Sequence, residues 1–238
     1  MQLQDLKSQL TLVFPVRIDC EERRENLRVV LRQLDGLGCR MLVLEADAVP
    51  ALGDEAWPDG VEYTFVEDAS TVFHRTRYIN ELLRMAGTEV VGVWDTDVLV
   101  GYAQIGEAVQ RILEGCTIAY PYNGQFVMLS EQMSINVRKN PDLEYLRCMR
   151  MSSFLGRRLC GGAYLVHRQH YFQCGGENER FTGWGPEDAE RMHRVRILGH
   201  KVAWTQSGQL YHLYHPRGAS SSCLLYTSPS PRDRTRSR

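Results

Sequence analysis

Two carboxylates follow an apolar run near the middle of this 238-residue chain. The run 89–94 is rich in β-branched residues and predicts a buried strand that continues into Asp95 and Asp97. Residues two apart on an extended chain point the same way, so both carboxylates should project at the carboxyl end of the strand, where open α/β sheets bind ligands. Neighbouring carboxylates repel each other, which favours a bound cation or a hydroxyl partner. An isolated Asp-x-Asp is also typical of an ordinary strand end followed by a turn.

A second group of chemically active residues lies at 181–188. Two glycines flank Trp184, which leaves the backbone pliable and the indole exposed. A proline then suits the first position of a helix, so Glu187 and Asp188 fall in its first turn, where the helix dipole favours their ionised form. An indole platform beside a carboxylate suits a sugar, because the carboxylate can take a hydroxyl proton as general base. The alternative is a Gly-Trp turn with ordinary N-terminal acids.

His212 and His215 form a third group, three residues apart after a short apolar segment. Neutral imidazoles are common ligands of divalent metals, and imidazole with carboxylate suits Mn²⁺ among others. A structural zinc site is not predicted, because no cysteine pair accompanies the histidines. The alternative is a pair of surface histidines.

Strands alternate with helices along the chain, which predicts an α/β fold with a mainly parallel sheet. Strands are predicted at 10–17, 39–45, 61–66, 89–97, 117–120, 125–129, 161–166, 201–204 and 209–211. Helices are predicted after residue 19 and at about 74–85, 105–113, 167–174 and 187–198. A Pro-Tyr-Asn-Gly turn predicts that the strands at 117–120 and 125–129 form a hairpin. Residues 131–158 remain unassigned.

Composition favours one globular domain with an ample core. The net charge of −1 gives no reason to expect a nucleic-acid partner. The seven cysteines contain no C-x-x-C pair, and neither a signal peptide nor an apolar run long enough to span a bilayer is present, so we expect a cytoplasmic protein. Residues 223–233 resemble a translated sequencing adaptor. We therefore expect a domain at 1–222 and a non-native tail at 223–238, with the natural chain continuing differently.

Four segments together resemble the inverting nucleotide-sugar glycosyltransferases of the GT-A fold. They are Trp94-Asp-Thr-Asp97, Gly161-Gly162, Gly183-Trp-Gly-Pro-Glu-Asp188 and His212-Leu-Tyr-His215. The chain is most similar to the β-1,4-galactosyltransferase family and its bacterial relatives in glycosyltransferase family 2, over residues 14–215. The resemblance implies a mixed, mainly parallel sheet flanked by helices, with a nucleotide-binding half at about 1–100 and an acceptor-binding half at about 101–222.

The resemblance also implies roles in nucleotide binding. Pro15 and Arg17 would line the uridine pocket, Arg75 would touch the nucleotide, and Asp95 would lie near the ribose. Asn80 would hold the helix that carries Arg75, and Glu45 takes the place of an aspartate that reads uracil in many family 2 enzymes.

For the metal and the sugars, the resemblance implies that Asp97, His215 and His212 bind Mn²⁺ or Mg²⁺ at the diphosphate. His212 stands where vertebrate enzymes have Met. Asp188 would be the catalytic base. The residues that would surround donor and acceptor sugars are Gly161, Gly162, Trp184 and Glu187.

The implied function is metal-dependent, inverting transfer of a galactose-like or N-acetylgalactosamine-like sugar from a UDP-sugar to a glycan or glycolipid hydroxyl. Its setting would be bacterial polysaccharide or glycolipid synthesis, with peripheral membrane contact left open. The chain departs from the family at Ala189, where a third acid is common, and at Pro186, where glycine is usual; both bear on sugar and acceptor specificity. The alternatives are a catalytically silent sugar-nucleotide-binding module or one lobe of a longer glycan polymerase. A nucleotidyltransferase is less favoured, because the Gly-rich phosphate loop is missing.

Overall fold

The computed structural model describes residues 7–149, 158–182 and 186–216. The strands are β1 (Leu10–Val16), β2 (Arg40–Asp47), β3 (Val61–Glu67), β4 (Val90–Trp94), β5 (Val98–Leu99), β6 (Ile118–Tyr120), β7 (Phe126–Met128), β8 (Ala163–His167), β9 (Val202–Trp204) and β10 (Leu210–His212). The helices are α1 (Glu21–Asp35), α2 (Arg75–Met85), α3 (Tyr102–Leu113), α4 (Glu131–Lys139), α5 (Leu143–Cys148), α6 (Arg168–Gln173) and α7 (Glu187–Ile197). The tail at 223–238 lies outside the described residues.

Seven strands form the main sheet in the order β3-β2-β1-β4-β8-β6-β9. All are parallel except β8, which runs antiparallel between β4 and β6. The central strands are buried along their whole length, because helices cover the sheet: α2 packs on β1 and β2, and α3 on β6 and β8. No helix in the described parts of the chain is long and apolar enough to cross a bilayer.

The antiparallel strand β8 brings the middle of the chain to the end of β4. Trp94 pairs with Ala163, and the backbone N–H of Asp95 donates to the carbonyl of Gly162 at 2.8 Å. The Gly-Gly segment therefore lies beside the carboxylates that follow β4.

A small sheet in the order β5-β10-β7 forms next to this edge. His212 of β10 pairs with Val98 of β5, and the N–H of Leu213 donates to the carbonyl of Asp97 at 2.7 Å. This sheet therefore joins the C-terminal histidines to the turn after β4.

Two local predictions were wrong. The strands at 117–120 and 125–129 do not form a hairpin, because β6 belongs to the main sheet and β7 to the small one. Gly124 does adopt the left-handed conformation of a turn (φ 92°), but the turn carries the chain from one sheet to the other. The strand at 89–97 also ends early, since β4 stops at Trp94 and Thr96 and Asp97 lie in a turn.

Candidate functional site

Asp97, His212 and His215 form a cluster that can hold a metal ion, and we call it the metal triad. One ligand atom from each residue lies within 4.8 Å of the others. Nε2 of His215 lies 3.2 Å from Oδ2 of Asp97, and Nε2 of His212 lies 3.3 Å from Oδ1. Two imidazoles and a carboxylate are a donor set that suits Mn²⁺ and similar divalent cations.

The fold positions the metal triad through backbone pairing. Asp97 immediately precedes β5, and His212 ends β10, the strand paired with β5. His215 follows three residues later, where its Nδ1 lies 2.8 Å from the carbonyl oxygen of Pro216. Nε2 is therefore the ring nitrogen that faces Asp97, and it is the nitrogen that a metal ion at this site would bind.

The electrostatics of Asp97 fit a site for a cation. The carboxylate is only 2 % exposed, and burial by itself raises its pKa. The charges of His212, His215 and Arg23 outweigh burial and hold the pKa of Asp97 well below its usual range. Oδ1 is buried, and no described residue donates a hydrogen bond to it. A carboxylate kept ionised with an unused buried oxygen is what a divalent cation requires.

Arg23 is a fourth member of this region that the sequence patterns did not predict. Its Nη1 lies 3.3 Å from Oδ2 of Asp97, its Nη2 lies 3.3 Å from Nδ1 of His215, and its Nε donates to Asp19 at 2.9 Å. The site therefore already contains one fixed positive charge. Only its position in the first turn of α1, close to the end of β1, could have indicated it.

Glu187 and Asp188 begin α7, and we call them the carboxylate pair. Oδ1 of Asp188 accepts a hydrogen bond from Nη1 of Arg191 at 2.8 Å, one turn further along the helix. Its Oδ2 faces Gly161, where a Cβ would lie only 2.5 Å away. One oxygen of Asp188 is therefore held by a cation, and the other points at the Gly-Gly segment.

Glu187 differs from its neighbour because it is buried, at 3 % exposure. Burial, and then the charge of Asp188, raises the pKa of Glu187 from 4.5 to about 7. Its Oε2 has no hydrogen-bond partner among the described residues. Near neutral pH this carboxyl is therefore divided between a form that donates a hydrogen bond and a form that only accepts.

The pKa of Asp95 is affected by charges at both ends of the site. Asp95 forms an ion pair with Arg75, the first residue of α2. Burial raises the pKa of Asp95, Arg75 opposes this shift, and the charges of Asp97 and Asp188 both reinforce it. The carboxylates of the metal triad and of the carboxylate pair therefore act on one common group.

Of the other residues predicted to bind nucleotide, Pro15 is buried and Arg17 has partners within the protein. Pro15 is buried within β1. Arg17 donates to the carbonyls of Ala46 and Ser70 at 2.8 Å and pairs with Asp68 at 3.1 Å, so it ties β2 to the loop after β3. Contact of Pro15 or Arg17 with a nucleotide stays a prediction.

Glu45 is held by three hydrogen-bond donors within the protein. It is fully buried, and its carboxylate accepts from the backbone N–H groups of Ala51 and Leu52 and from the hydroxyl of Tyr63. These three donors organise the loop after β2, and contact of Glu45 with uracil stays a prediction.

Gly162 needs to be glycine for two reasons. It has a left-handed backbone (φ 80°), and a Cβ there would lie 2.9 Å from Phe126 and 3.0 Å from Leu210. Asn80 links α2 to a distant loop, since its amide donates to the carbonyl of Glu177 at 3.0 Å. Trp184, predicted to hold donor and acceptor, lies outside the described residues.

Described as a whole, the site puts a cation-binding cluster and an oriented carboxylate at one edge of an α/β sheet. Such a pair can neutralise an anionic leaving group at one end and remove a proton at the other. The strand order, with one antiparallel strand inside a parallel sheet, defines the class: the chain has the GT-A glycosyltransferase fold, and this prediction is confirmed.

Three solved structures support this class. The catalytic domain of Drosophila β-1,4-galactosyltransferase 7 in complex with xylobiose matches at a TM-score of 0.55 and 18 % identity, over 87 % of this chain and 71 % of that one. A mutant of the same fly enzyme, described as a complex with manganese, UDP-Gal and xylobiose, gives 0.54 and 16 %, over 97 % and 80 %. GalNAc-T7 with UDP, GalNAc and Mn²⁺ gives 0.61 and 13 %, over 89 % and 45 %.

Sequence comparison shows which family within the GT-A class this chain resembles. Residues 152–216 match the family model described as "N-terminal domain of galactosyltransferase". Human and mouse β-1,4-galactosyltransferase 7 are each 46 % identical over 39 residues, which is 16 % of this chain and 12 % of theirs. The Drosophila melanogaster protein is 30 % identical over 73 residues, or 27 % and 23 %. The matches span at most about a quarter of the length of these relatives. Within the GT-A class, the chain is therefore β-1,4-galactosyltransferase-like, as the sequence motifs predicted.

Proposed function

We propose that this protein transfers a galactose-like sugar from a UDP-sugar to a hydroxyl group of an acceptor, with inversion at the anomeric carbon. The observation that carries the proposal is the pairing, at one sheet edge, of the metal triad with an Asp188 whose Oδ2 is turned toward Gly161. A purely binding module needs the first of these features but has no need of an oriented base.

At the donor end, Asp97, His212 and His215 would hold the metal. A divalent cation bound there, such as Mn²⁺, would supply positive charge against the diphosphate of the donor. Arg75 and Arg23 are paired with Asp95 and Asp97, so the positive charge for an anionic diphosphate would come from the bound metal.

At the acceptor end, Asp188 removes the proton of the attacking hydroxyl. The hydroxyl oxygen forms the new bond to the anomeric carbon while the bond from that carbon to the diphosphate oxygen breaks. UDP leaves with the electron pair of that bond, and the proton remains on Asp188. Because attack and departure occur on opposite faces, the product has the inverted anomer.

The choice of substrates to test comes from the related structures. The fly enzyme was described in complex with UDP-Gal and xylobiose, which supports UDP-galactose as the first donor and xylobiose as the first acceptor. A glycan or glycolipid acceptor in bacterial polysaccharide or glycolipid synthesis, and a cytoplasmic location, belong to the same proposal and rest on the resemblance to family 2.

Thermal-shift titration followed by a turnover assay tests the proposal. UDP-galactose should raise the melting temperature when Mn²⁺ is present and much less when it is replaced by a chelator, with ADP-glucose as the matched control donor. UDP should then be released, faster with acceptor than without. Binding without any UDP release, over a panel of hydroxyl acceptors, would instead favour the catalytically silent sugar-nucleotide module.

A further inference from the structure

A fully buried ion pair lies behind the carboxylate pair and was not predicted by any sequence pattern. Arg191 is 0 % exposed and Glu177 is 3 % exposed. Nε and Nη2 of Arg191 donate to the two oxygens of Glu177 at 2.7 and 3.0 Å, in a bidentate arrangement. The hydroxyl groups of Tyr164 and Tyr171 complete the shell of Glu177, at 2.5 and 2.6 Å.

This arrangement leaves Arg191 no rotational freedom. Its guanidinium lies 4.0 Å from the centroid of the Tyr164 ring, so the ring fixes its plane while Glu177 fixes its orientation within that plane. The remaining nitrogen, Nη1, then has a single direction, and it donates to Oδ1 of Asp188 at 2.8 Å.

Glu177 is itself held from a second helix. Its backbone N–H donates to Oδ1 of Asn80 at 2.8 Å, and its carbonyl accepts from the Asn80 amide at 3.0 Å. Asn80 belongs to α2, the helix that begins with Arg75, the partner of Asp95. A continuous polar chain therefore runs from α2 through Glu177 and Arg191 to Asp188.

Burial makes this pair costly as a source of stability. Two charges removed from water recover their desolvation cost only with very good geometry, and apolar residues of similar volume often serve as well or better. The geometry here has a specific consequence for Asp188, because pinning Oδ1 determines where Oδ2 points, and Oδ2 lies in the space that a side chain at position 161 would fill.

We infer that Arg191 and Glu177 form a positioning pair for Asp188, which reserves Oδ1 for the guanidinium and presents Oδ2 to the acceptor hydroxyl. The role as base rests on the proposed function, whereas the orientation of the carboxylate does not. Arg191 and Glu177 are positioning residues: their effect on the reaction passes through Asp188.

The activity test uses the double variant E177Q/R191M. The E177Q side chain still accepts from the two tyrosine hydroxyls, and no uncompensated charge is left buried, whereas R191M alone would strand the Glu177 carboxylate and could fail to fold. With UDP-galactose, Mn²⁺ and xylobiose, we expect kcat to fall about 10- to 100-fold, a part of the ~10²- to 10⁴-fold that a placed base supplies. KM for UDP-galactose should stay within twofold.

Two controls separate positioning from general damage. E144Q/R147M removes an exposed ion pair of α5, 2.8 Å from Nη1 to Oε1, that touches neither Asp188 nor the loop of Glu177, and should keep kcat within twofold. R191K keeps the charge but cannot serve Glu177 and Asp188 together, so its kcat should be intermediate. In a D188N background, E177Q/R191M should cause no further loss of rate.

A stability measurement tests the orientation without any turnover. Gly161 has an ordinary backbone conformation, so the cost of G161A comes from its contact with Oδ2 of a pinned Asp188. G161A should lower the melting temperature by roughly 4 °C in the wild type. In E177Q/R191M, where Asp188 can turn away, G161A should lower it by less than about 1 °C.

The activity test and the stability test can each contradict the inference independently of the other. If the wild type turns over no substrate, the proposed function fails and the stability cycle alone decides the orientation. If the wild type is active and E177Q/R191M keeps kcat within twofold, or if G161A costs the same in both backgrounds, the positioning pair is refuted.

Discussion

Asp97 and Asp188 are both carboxylates at the same edge of the main sheet, but their positive partners differ in kind. Asp97 faces two imidazoles, which are cations only when protonated, and an Arg23 whose nitrogens lie 3.3 Å from their acceptors. Asp188 faces Arg191, a permanent cation fixed by a bidentate partner and an aromatic ring.

Because of this difference, the positive charge that balances each carboxylate comes from a different source. The metal triad keeps a buried oxygen of Asp97 without a donor among the described residues, so it gains from an added cation. The carboxylate pair has its cation built into the protein. The metal end should therefore respond to conditions such as metal concentration, whereas the base end should respond only to mutation or to the pH near which Glu187 titrates.

The largest effect is expected at the base end. Replacing Asp188 with Asn keeps the shape and the contact with Arg191 but removes the ability to accept a proton, so kcat should fall by ~10²- to 10⁴-fold. Initial rates of UDP release measure this, and the thermal shift with UDP-galactose and Mn²⁺ should remain. A D188N protein with near-full activity would show that another group is the base.

The next largest effect is expected at the metal end. H215A should raise the Mn²⁺ concentration needed for half-maximal stabilisation by on the order of 10²-fold, because it removes one of three ligands. Mn²⁺ titration followed by thermal shift gives this value. H193A, which removes an exposed histidine of α7, is the matched control and should leave the titration unchanged. Turnover that persists in excess chelator contradicts the metal assignment.

A pH effect should distinguish the two members of the carboxylate pair. The pKa of Glu187 is raised from 4.5 to about 7 in the folded protein, so folding favours its protonated form. This contribution to the free energy of unfolding is complete below pH 4.5 and is lost as pH rises through 7, on the order of 3 kcal/mol. Urea unfolding at pH 5 and 8 should show a smaller difference for E187Q than for the wild type. An equal difference in both proteins would mean that a group other than Glu187 titrates in this range. E190Q, which changes a neighbouring carboxylate of the same helix, is the control.

The smallest effect concerns the fixed charge at the metal end. Arg23 places a positive charge beside Asp97, and two like charges at this range repel each other. R23M should therefore bind Mn²⁺ about 5- to 10-fold more tightly, by the same titration. Weaker binding in R23M would mean instead that Arg23 is needed to hold Asp97 and His215 in place, which would make the two ends of the site alike.

Local patterns predicted most of the main sheet, because its central strands are short apolar runs that are buried along their whole length. They could not predict which strands pair. The turn at Gly124 looks like a hairpin turn in sequence, and only the long-range pairing of β7 with β10 separates it from β6. The turn after Trp94 was missed for a similar reason, since Asp97 is drawn out of the strand by its pairing partners near Leu213.

Prediction of the site from the sequence was limited in the same way. The metal triad could be proposed because its residue types have a known chemistry and a recognisable order along the chain, and the structure brings all three together. Glu177 and Arg191 had no such signal. An arginine three residues after an aspartate is ordinary on a helix, and its burial depends on Tyr164 and Tyr171, which come from other elements.

The pairing of β10 with β5 also fixes the order in which the site can form during synthesis. About 115 residues separate Asp97 from His212. A ribosome that adds about 5–20 residues per second therefore takes roughly 6–23 s to produce the first histidine after Asp97 has been made. Arg23 precedes Asp97, so the nascent chain already carries a partner for that carboxylate during the interval. The metal triad therefore cannot assemble before β10 has been made, and a nascent chain that stops before β10 has every strand of the main sheet but neither histidine.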